Sequence, residues 1–331
     1  MTSAPGVLIG VDVGCTTVSG GLVTLDGHVL SSIQAPTSLG SGTAAHTIVG
    51  IVTDLHAEAQ TRGLALEAVG VGVPGLVDGE RGMLLHSAGA HIADLHQVPL
   101  AERISAKTGV PAFVDNDVNV LALGEWMFGL GRGAAACVVL AVGSAVGAGI
   151  ILDGRLVRGK SGYAGELGHA PIDFNGPPCP CGGRGCLSLY VGGEYLAAEA
   201  RQRITREPSS LLALAGGEAG AITAEAVFVA AAAGDGLARG MVDRACRALG
   251  AGIAIAVNGL NPEVVVVTGG VVKSLLPLQG EIIRRAGEYA LADSLAGTTI
   301  HFVPGHKSQT VRGGAALVLY ERARRVAGLP R

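Results

Sequence analysis

Val7-Leu-Ile-Gly10-Val-Asp12-Val-Gly14-Cys15-Thr16-Thr17 decides the fold. Its first seven residues, apolar and β-branched, read as a buried strand, and the Gly-Cys-Thr-Thr segment after them reads as a turn. Gly20-Gly-Leu-Val-Thr-Leu25 and His28-Val-Leu-Ser-Ser-Ile33 continue the strand as an antiparallel meander, with Asp26-Gly27 supplying the hairpin turn. The pattern returns about 130 residues later, where Ala135–Val142 and Gly147–Leu152 flank another Gly-containing turn. Two copies of strand, glycine turn and strand predict internal duplication of one unit. The periodicity predicts an amphipathic helix over 43–62, a short strand over Ala68–Val73, a strand from Pro111 to Asp115, and a helix over Val118–Trp126. Strands alternating with helices place the chain in the α/β class.

Each glycine turn follows a buried strand, where α/β folds bind ligands. Asp12, Gly14, Thr16 and Thr17 put a carboxylate, a glycine and two hydroxyls in one such turn. Glycine lets backbone N–H groups approach phosphate oxygens, threonine hydroxyls add donors, and an aspartate can hold Mg2+ through water. One turn of this kind is commonplace. Together with Gly143-Ser144 and Thr268-Gly269-Gly270, which follows four valines, it points to an ATP site.

A second constellation is Glu166-Leu-Gly-His169 followed by Cys179-Pro-Cys181-Gly-Gly-Arg-Gly-Cys186, one histidine and three cysteines within eighteen residues. Short Cys-x-Cys and Cys-x4-Cys spacings let a tight turn gather thiolates, and the imidazole supplies the fourth corner of a zinc tetrahedron. Three thiolates and an imidazole leave no open position. His169, Cys179, Cys181 and Cys186 therefore read as a structural Zn2+ site. Glu166 and His169, three apart, share a face of a helical turn, where a planar acceptor and an imidazole can hydrogen-bond one ligand.

The chain has 331 residues, 49% of them hydrophobic, and a net charge of −3. That length favours two domains, and the charge gives no footprint for nucleic acid. No apolar run approaches the ~20 residues of a membrane span, and Met1-Thr-Ser-Ala-Pro-Gly6 lacks the character of a signal peptide. With three of six cysteines committed to metal, a reducing cytoplasm is the expected compartment. The 53 glycines fit a chain with many tight turns and close backbone approaches.

Glu-x-Gly-His followed by Cys-x-Cys-Gly-x-x-Gly-Cys resembles the signature of the ROK family, bacterial sugar kinases and sugar-responsive repressors. Further blocks match in order: Gly10-Val-Asp12-Val-Gly14-Cys15-Thr16-Thr17, Val71-Gly-Val-Pro74-Gly75-Leu-Val-Asp78, Asn116-Asp117-Val-Asn119-Val-Leu-Ala-Leu-Gly124-Glu125, Ala141-Val-Gly143-Ser144-Ala-Val-Gly147-Ala-Gly149 and Val267-Thr268-Gly269-Gly270-Val271. The resemblance runs from about residue 7 to about residue 320. It implies the actin-like ATPase fold, a ribonuclease H-like duplicated βββαβα with two domains and an interdomain cleft. The expected division is 1–116 plus 308–331 against 117–307, with a C-terminal helix Gly313–Val326 returning to the first domain. The resemblance implies Asp117 as the general base. It assigns Gly75, Asn116, Glu166 and His169 to the substrate, with His169 presenting its second ring nitrogen to the sugar.

Five positions depart from the family pattern. Cys15 stands where relatives have Gly, and Thr17 where they often have Lys. Gly143-Ser144-Ala145 replaces Gly-Thr-Gly, and Ser188 stands where a Glu touches hydroxyls near the anomeric carbon. Ser87–His96 also replaces a Pro-Asn-Leu segment. A Cβ at Cys15 or Ala145 would strain the turn if either position needs positive φ. Ser188, taken as a substrate residue, suggests a modified hexose or a cyclitol as an alternative to glucose. The leading reading is an ATP-dependent, Mg2+-requiring kinase of a hexose or hexose-like polyol, forming a homodimer or homotetramer. One rival is a repressor; ROK repressors carry a winged-helix segment ahead of this domain, and about six residues precede the first strand here. The other rival is a catalytically weak sugar sensor.

Overall fold

The computed structural model describes residues 4–37, 43–87 and 90–328. The chain folds into two compact units, Met1–Ala134 with Gly149–Ala164 and His306–Arg331, and Ala135–Ala148 with Gly165–Gly305. This grouping places 117–134 and 149–164 with the N-terminal segment, whereas the expected division assigned them to the other domain.

Unit 1 begins with β1 (Gly6–Val13), β2 (Thr17–Thr24) and β3 (Val29–Pro36), the antiparallel meander. Helix α1 (Ala44–Thr61) follows, its N-cap Thr43 accepting from the His46 N–H at 3.2 Å. Then come β4 (Ala65–Val73), a two-stranded β5 (Gly75–Asp78) and β6 (Met83–Ser87), α2 (Leu100–Thr108), β7 (Ala112–Asn116) and α3 (Asp117–Phe128). Residues 88 and 89 of the Ser87–His96 segment lie outside the described residues. The first sheet runs β3-β2-β1-β4-β7, with β4 parallel to both β1 and β7.

The second sheet is built from β8 (Cys137–Val142), β9 (Val146–Leu152), β10 (Arg155–Leu156), β11 (Val264–Gly269) and β12 (Thr299–Pro304), in the order β10-β9-β8-β11-β12. Strand β11 is parallel to β8 and β12. Each sheet is thus an antiparallel meander extended by two parallel strands, the duplication expected of an actin-like ATPase fold. Between β10 and β11 lie α4 (Ser188–Val191), α5 (Gly193–Arg203), α6 (Leu211–Leu214), α7 (Ala224–Ala232) and the long α8 (Gly236–Leu260). Helices α9 (Val272–Leu275), α10 (Gln279–Ala286) and α11 (Ala292–Ala296) separate β11 from β12, and α12 (Lys307–Val326) closes the chain.

Strand β1 is apolar on both faces because both are covered. On one face Val7, Ile9 and Val11 join Ile48, Ile51 and Leu55 of α1 in a buried cluster. On the other, α12 lies backbone against backbone: a Cβ on Gly10 would sit 1.9 Å from the Val311 carbonyl oxygen, and one on Gly314 would sit 2.6 Å from Gly10 Cα. Helix α12 starts six residues earlier than Gly313. His306 and Gln309 form a reciprocal capping box, and the polar Lys307–Arg312 turns carry no apolar stripe to mark them as helical.

Close approach and open space predict opposite signs for two Gly→Ala changes. Gly10→Ala should lower unfolding free energy by ~1–3 kcal/mol through overpacking. Gly50→Ala, on α1 with nothing within 4 Å of a new Cβ, should raise it by ~0.5–1 kcal/mol. Urea melts of the two variants check this, and a neutral Gly10→Ala would contradict the packing described.

Candidate active site

In unit 1 the β1–β2 turn carries Asp12, Gly14, Thr16 and Thr17. Gly14 N–H donates to the Thr17 carbonyl at 2.9 Å, and the buried Thr37 hydroxyl donates to the Gly14 carbonyl at 2.7 Å, so the turn is pinned from within. Asp12 Oδ2 accepts from Lys307 Nζ at 3.1 Å. Lys307, at the first position of α12, is a partner that no local pattern around residue 12 could reveal. Neither Cys15 nor Ala145 has a positive φ, so the strain considered for these positions does not arise.

The other half of unit 1's chemistry sits where β7 becomes α3. Asn116 is the N-cap: its Oδ1 accepts from the Val118 and Asn119 N–H groups at 2.9 and 3.2 Å, while its Nδ2 donates to the Gly75 carbonyl at 3.1 Å. Asp117 opens the helix and accepts from the Val118 N–H at 3.0 Å. Asp115, which beside Asn116 and Asp117 reads in the sequence as a capping or solvated residue, is neither. It is buried; its Oδ1 accepts from the Asn116 N–H at 2.7 Å and from Asn119 Nδ2 at 3.1 Å, and its Oδ2 accepts from Arg158 Nε at 2.7 Å. Burial opposes the charge on Arg158, yet Asp115 and Glu321 hold its pKa above the ordinary arginine value. A cavity of about 390 Å3 lies against this turn, lined by Asn116, Asp115, Arg158, Leu76, Asp78 and Lys160.

In unit 2 two turns meet at neighbouring strand ends. The Gly143–Ala145 turn accepts from the start of α5, with Gly193 N–H donating to the Gly143 carbonyl at 2.8 Å and Glu194 N–H to the Ser144 carbonyl at 3.1 Å. Val271 N–H donates to the Val142 carbonyl at 3.1 Å and ties the Gly269–Gly270 turn to the first. Gly269 needs to be glycine: its φ is +118°, and a Cβ would meet the Val142 carbonyl oxygen at 2.4 Å. Residues of α7, α8, α9 and α10 line a cavity of about 530 Å3, among them Phe228, Val229, Val242, Cys246, Lys273 and Glu281.

His169, Cys179, Cys181 and Cys186 converge, their ligand atoms all within 4.8 Å of one another. Cys181 Sγ lies 3.7 Å from Cys186 Sγ, and Cys179 Sγ 3.6 Å from His169 Nδ1. Tetrahedral Zn2+ with ~2.3 Å sulfur bonds sets ligand atoms about 3.8 Å apart, so the four residues fit the ion. Burial and the neighbouring thiols Cys179 and Cys181 push the Cys186 thiol up to about 12, while the Gly183 N–H, then Cys179, pull Cys181 down. A cation would let the three thiolates share this space. The other histidine nitrogen, Nε2, lies 3.9 Å from Glu166 Oε2, and both side chains remain partly exposed. Ser188 is fully buried, its Oγ accepting from the Val146 N–H at 3.0 Å and donating to the Val146 carbonyl at 3.4 Å.

The sequence model of the ROK family matches residues 8–321. The glucokinase of Halalkalibacterium halodurans is 34% identical over 319 residues, covering 94% of each chain. A ROK family glucokinase from Streptomyces griseus, solved in complex with glucose and AMPPNP, superposes with a TM-score of 0.76 at 30% identity, covering 96% of this chain and 100% of that one. A ROK family transcriptional regulator, a homolog of Escherichia coli Mlc, superposes with a TM-score of 0.81 at 28% identity, covering 96% of this chain and 78% of that one. The glycine turns, the Asn116-Asp117 helix start and the His169–Cys186 cluster therefore stand in a chain that belongs to the ROK family.

Proposed function

We propose that this chain, a ROK sugar kinase, transfers the γ-phosphoryl group of ATP to a hydroxyl of a hexose or hexose-like polyol in the cytoplasm. The observation that carries this reading is the β7–α3 turn. Asn116 is locked by its cap bonds and by Gly75, so the adjacent Asp117 is presented at a defined place on the helix start. Phosphoryl transfer needs positioning and charge stabilisation more than covalent help from the protein. In this reading an Asp117 oxygen takes the proton from the sugar hydroxyl as the hydroxyl oxygen bonds to the γ-phosphorus and the bond from that phosphorus to the departing ADP breaks. We assign Gly75, Asn116, Glu166 and His169 to substrate recognition, and Gly14, Thr16, Thr17, Gly143, Ser144, Gly269 and Gly270 to the phosphates. Mg2+ brought by ATP would neutralise phosphate charge, and Asp12 is the residue to hold it through water. The largely apolar 530 Å3 cavity, which Lys273 lines three residues after Gly270, suits an adenine ring. Zinc bound by His169, Cys179, Cys181 and Cys186 would shape the loop and orient His169, leaving Nε2 on the Glu166 side.

Ser188 favours a second reading of the substrate. Its hydroxyl is committed to Val146, so position 188 offers no acceptor for a hydroxyl near the anomeric carbon. A hexose altered there, or a cyclitol, then loses nothing at this position relative to glucose.

An ADP-release assay over hexoses, amino sugars and cyclitols tests both readings. Asp117→Asn should lower turnover by ~10²–10⁴-fold with substrate binding retained; turnover within tenfold of the parent would remove Asp117 from the role. Glucose ranking first among the compounds would end the second reading. Elemental analysis should find one zinc per chain. Chelation should lower the Tm and weaken sugar binding more than nucleotide binding, whereas metal-free protein with unchanged sugar affinity would end the zinc assignment.

A further inference from the structure

Arg158, which precedes Gly159 in a segment with no sequence pattern to recommend it, lies at the centre of a buried charge network in unit 1. Its side chain is 9% exposed, that of Asp115 5% and that of Glu321 1%. Arg158 Nε donates to Asp115 Oδ2 and Nη2 to Glu321 Oε1, each at 2.7 Å, and the guanidinium lies 5.5 Å from the centroid of Tyr320. Arg324 completes the set, donating to the second Glu321 oxygen at 2.9 Å. Two arginines thus balance two carboxylates in the interior.

Such a network contributes little net stability, because the cost of desolvating the charges offsets much of their attraction. It does fix geometry. Asp115 holds the Asn116 N–H and the Asn119 side chain with one oxygen, and Arg158 donates to the other. The carboxylate is therefore anchored from behind by Arg158 while its front oxygen sets the strand-to-helix turn. Arg158 in turn takes its own orientation from Glu321 on α12 and from the face of Tyr320.

We propose that Arg158 is a positioning residue for phosphoryl transfer, acting through Asp115 on the turn that carries Asn116 and Asp117. The proposal rests on the reading of Asp117 as the base. An error of about 1 Å in placing a reacting group can cost ~10²-fold in rate, so loosening the anchor should appear in kcat before it appears in binding.

The test compares Arg158→Gln, Arg158→Lys, Glu321→Gln and Asp115→Asn with the parent chain, reading kcat, the KM for sugar and for ATP, and the Tm. Arg158→Gln should lower kcat by at least ~10-fold while the KM for ATP stays within about threefold. Arg158→Lys, which keeps the charge, should recover part of that loss. Glu321→Gln should lower the Tm yet keep kcat within about threefold, because the amide oxygen it leaves can still accept from Arg158 Nη2, which keeps Arg158 oriented on Asp115. A folded Arg158→Gln with kcat within threefold of the parent would overturn the proposal. So would Glu321→Gln losing as much kcat as Arg158→Gln, since the effect would then follow general loosening. If Arg158→Gln does not fold, Asp115→Asn decides by the same thresholds, as it breaks the anchor at the other end while keeping the size of the side chain. Asp117→Asn separates the two failures. Turnover retained there removes the reading of the base, and turnover lost there with an unaffected Arg158→Gln removes the positioning role alone.

Discussion

Unit 1 depends on the absence of side chains where α12 meets the first sheet. Gly10 and Gly70 face the helix backbone so closely that a Cβ on either would sit 1.9 Å from a carbonyl oxygen of α12. Gly124 brings α3 close as well, 2.9 Å from Gly313 Cα by the same measure. Interiors are close-packed and respond to a single added methyl group, so these glycines fix where α12 can lie. Much follows from that placement. The first residue of α12, Lys307, reaches Asp12 at the end of β1, and Glu321 further along reaches Arg158 behind Asp115. One helix thereby braces both the β1–β2 turn and the β7–α3 turn that carries Asp117.

Unit 2 solves a similar problem with hydrogen bonds. Its two glycine turns are held by backbone groups of β8 and α5, which leaves the Ser144 side chain exposed. The cysteine loop is short on regular structure, and the spacing of its four ligand atoms matches a tetrahedral ion. A loop of this kind gains its order from a metal more readily than from a core, because it has little apolar area to bury.

The meander strands, the duplicated topology and the start of α3 were legible because periodicity and turn chemistry are local signals. The four metal-ligand candidates were legible for the same reason: spacing along the chain limits spacing in space. What escaped was non-local. Asp115 looks like a helix cap on paper, since it stands beside two other turn formers; burial and Arg158, 43 residues away, give it another role. Lys307 meets Asp12 across 295 residues. The first turns of α12 were missed because the helix there is secured by a histidine-based capping box and glycine contacts, which leave no amphipathic stripe. The concern over Cys15 and Ala145 came from comparison with a glycine pattern, and the backbone at both positions lies outside the left-handed region.

The most direct measurement of the central claim is 31P NMR of the protein with ATP, Mg2+ and a hexose, followed from mixing to completion. Transfer predicts the γ-phosphate signal moving into a phosphomonoester on the sugar, in equal amount to the ADP formed, with no inorganic phosphate beyond the sugar-free control. Inorganic phosphate appearing in place of a sugar phosphate, or no change in ATP with any hexose or cyclitol supplied, would contradict the account.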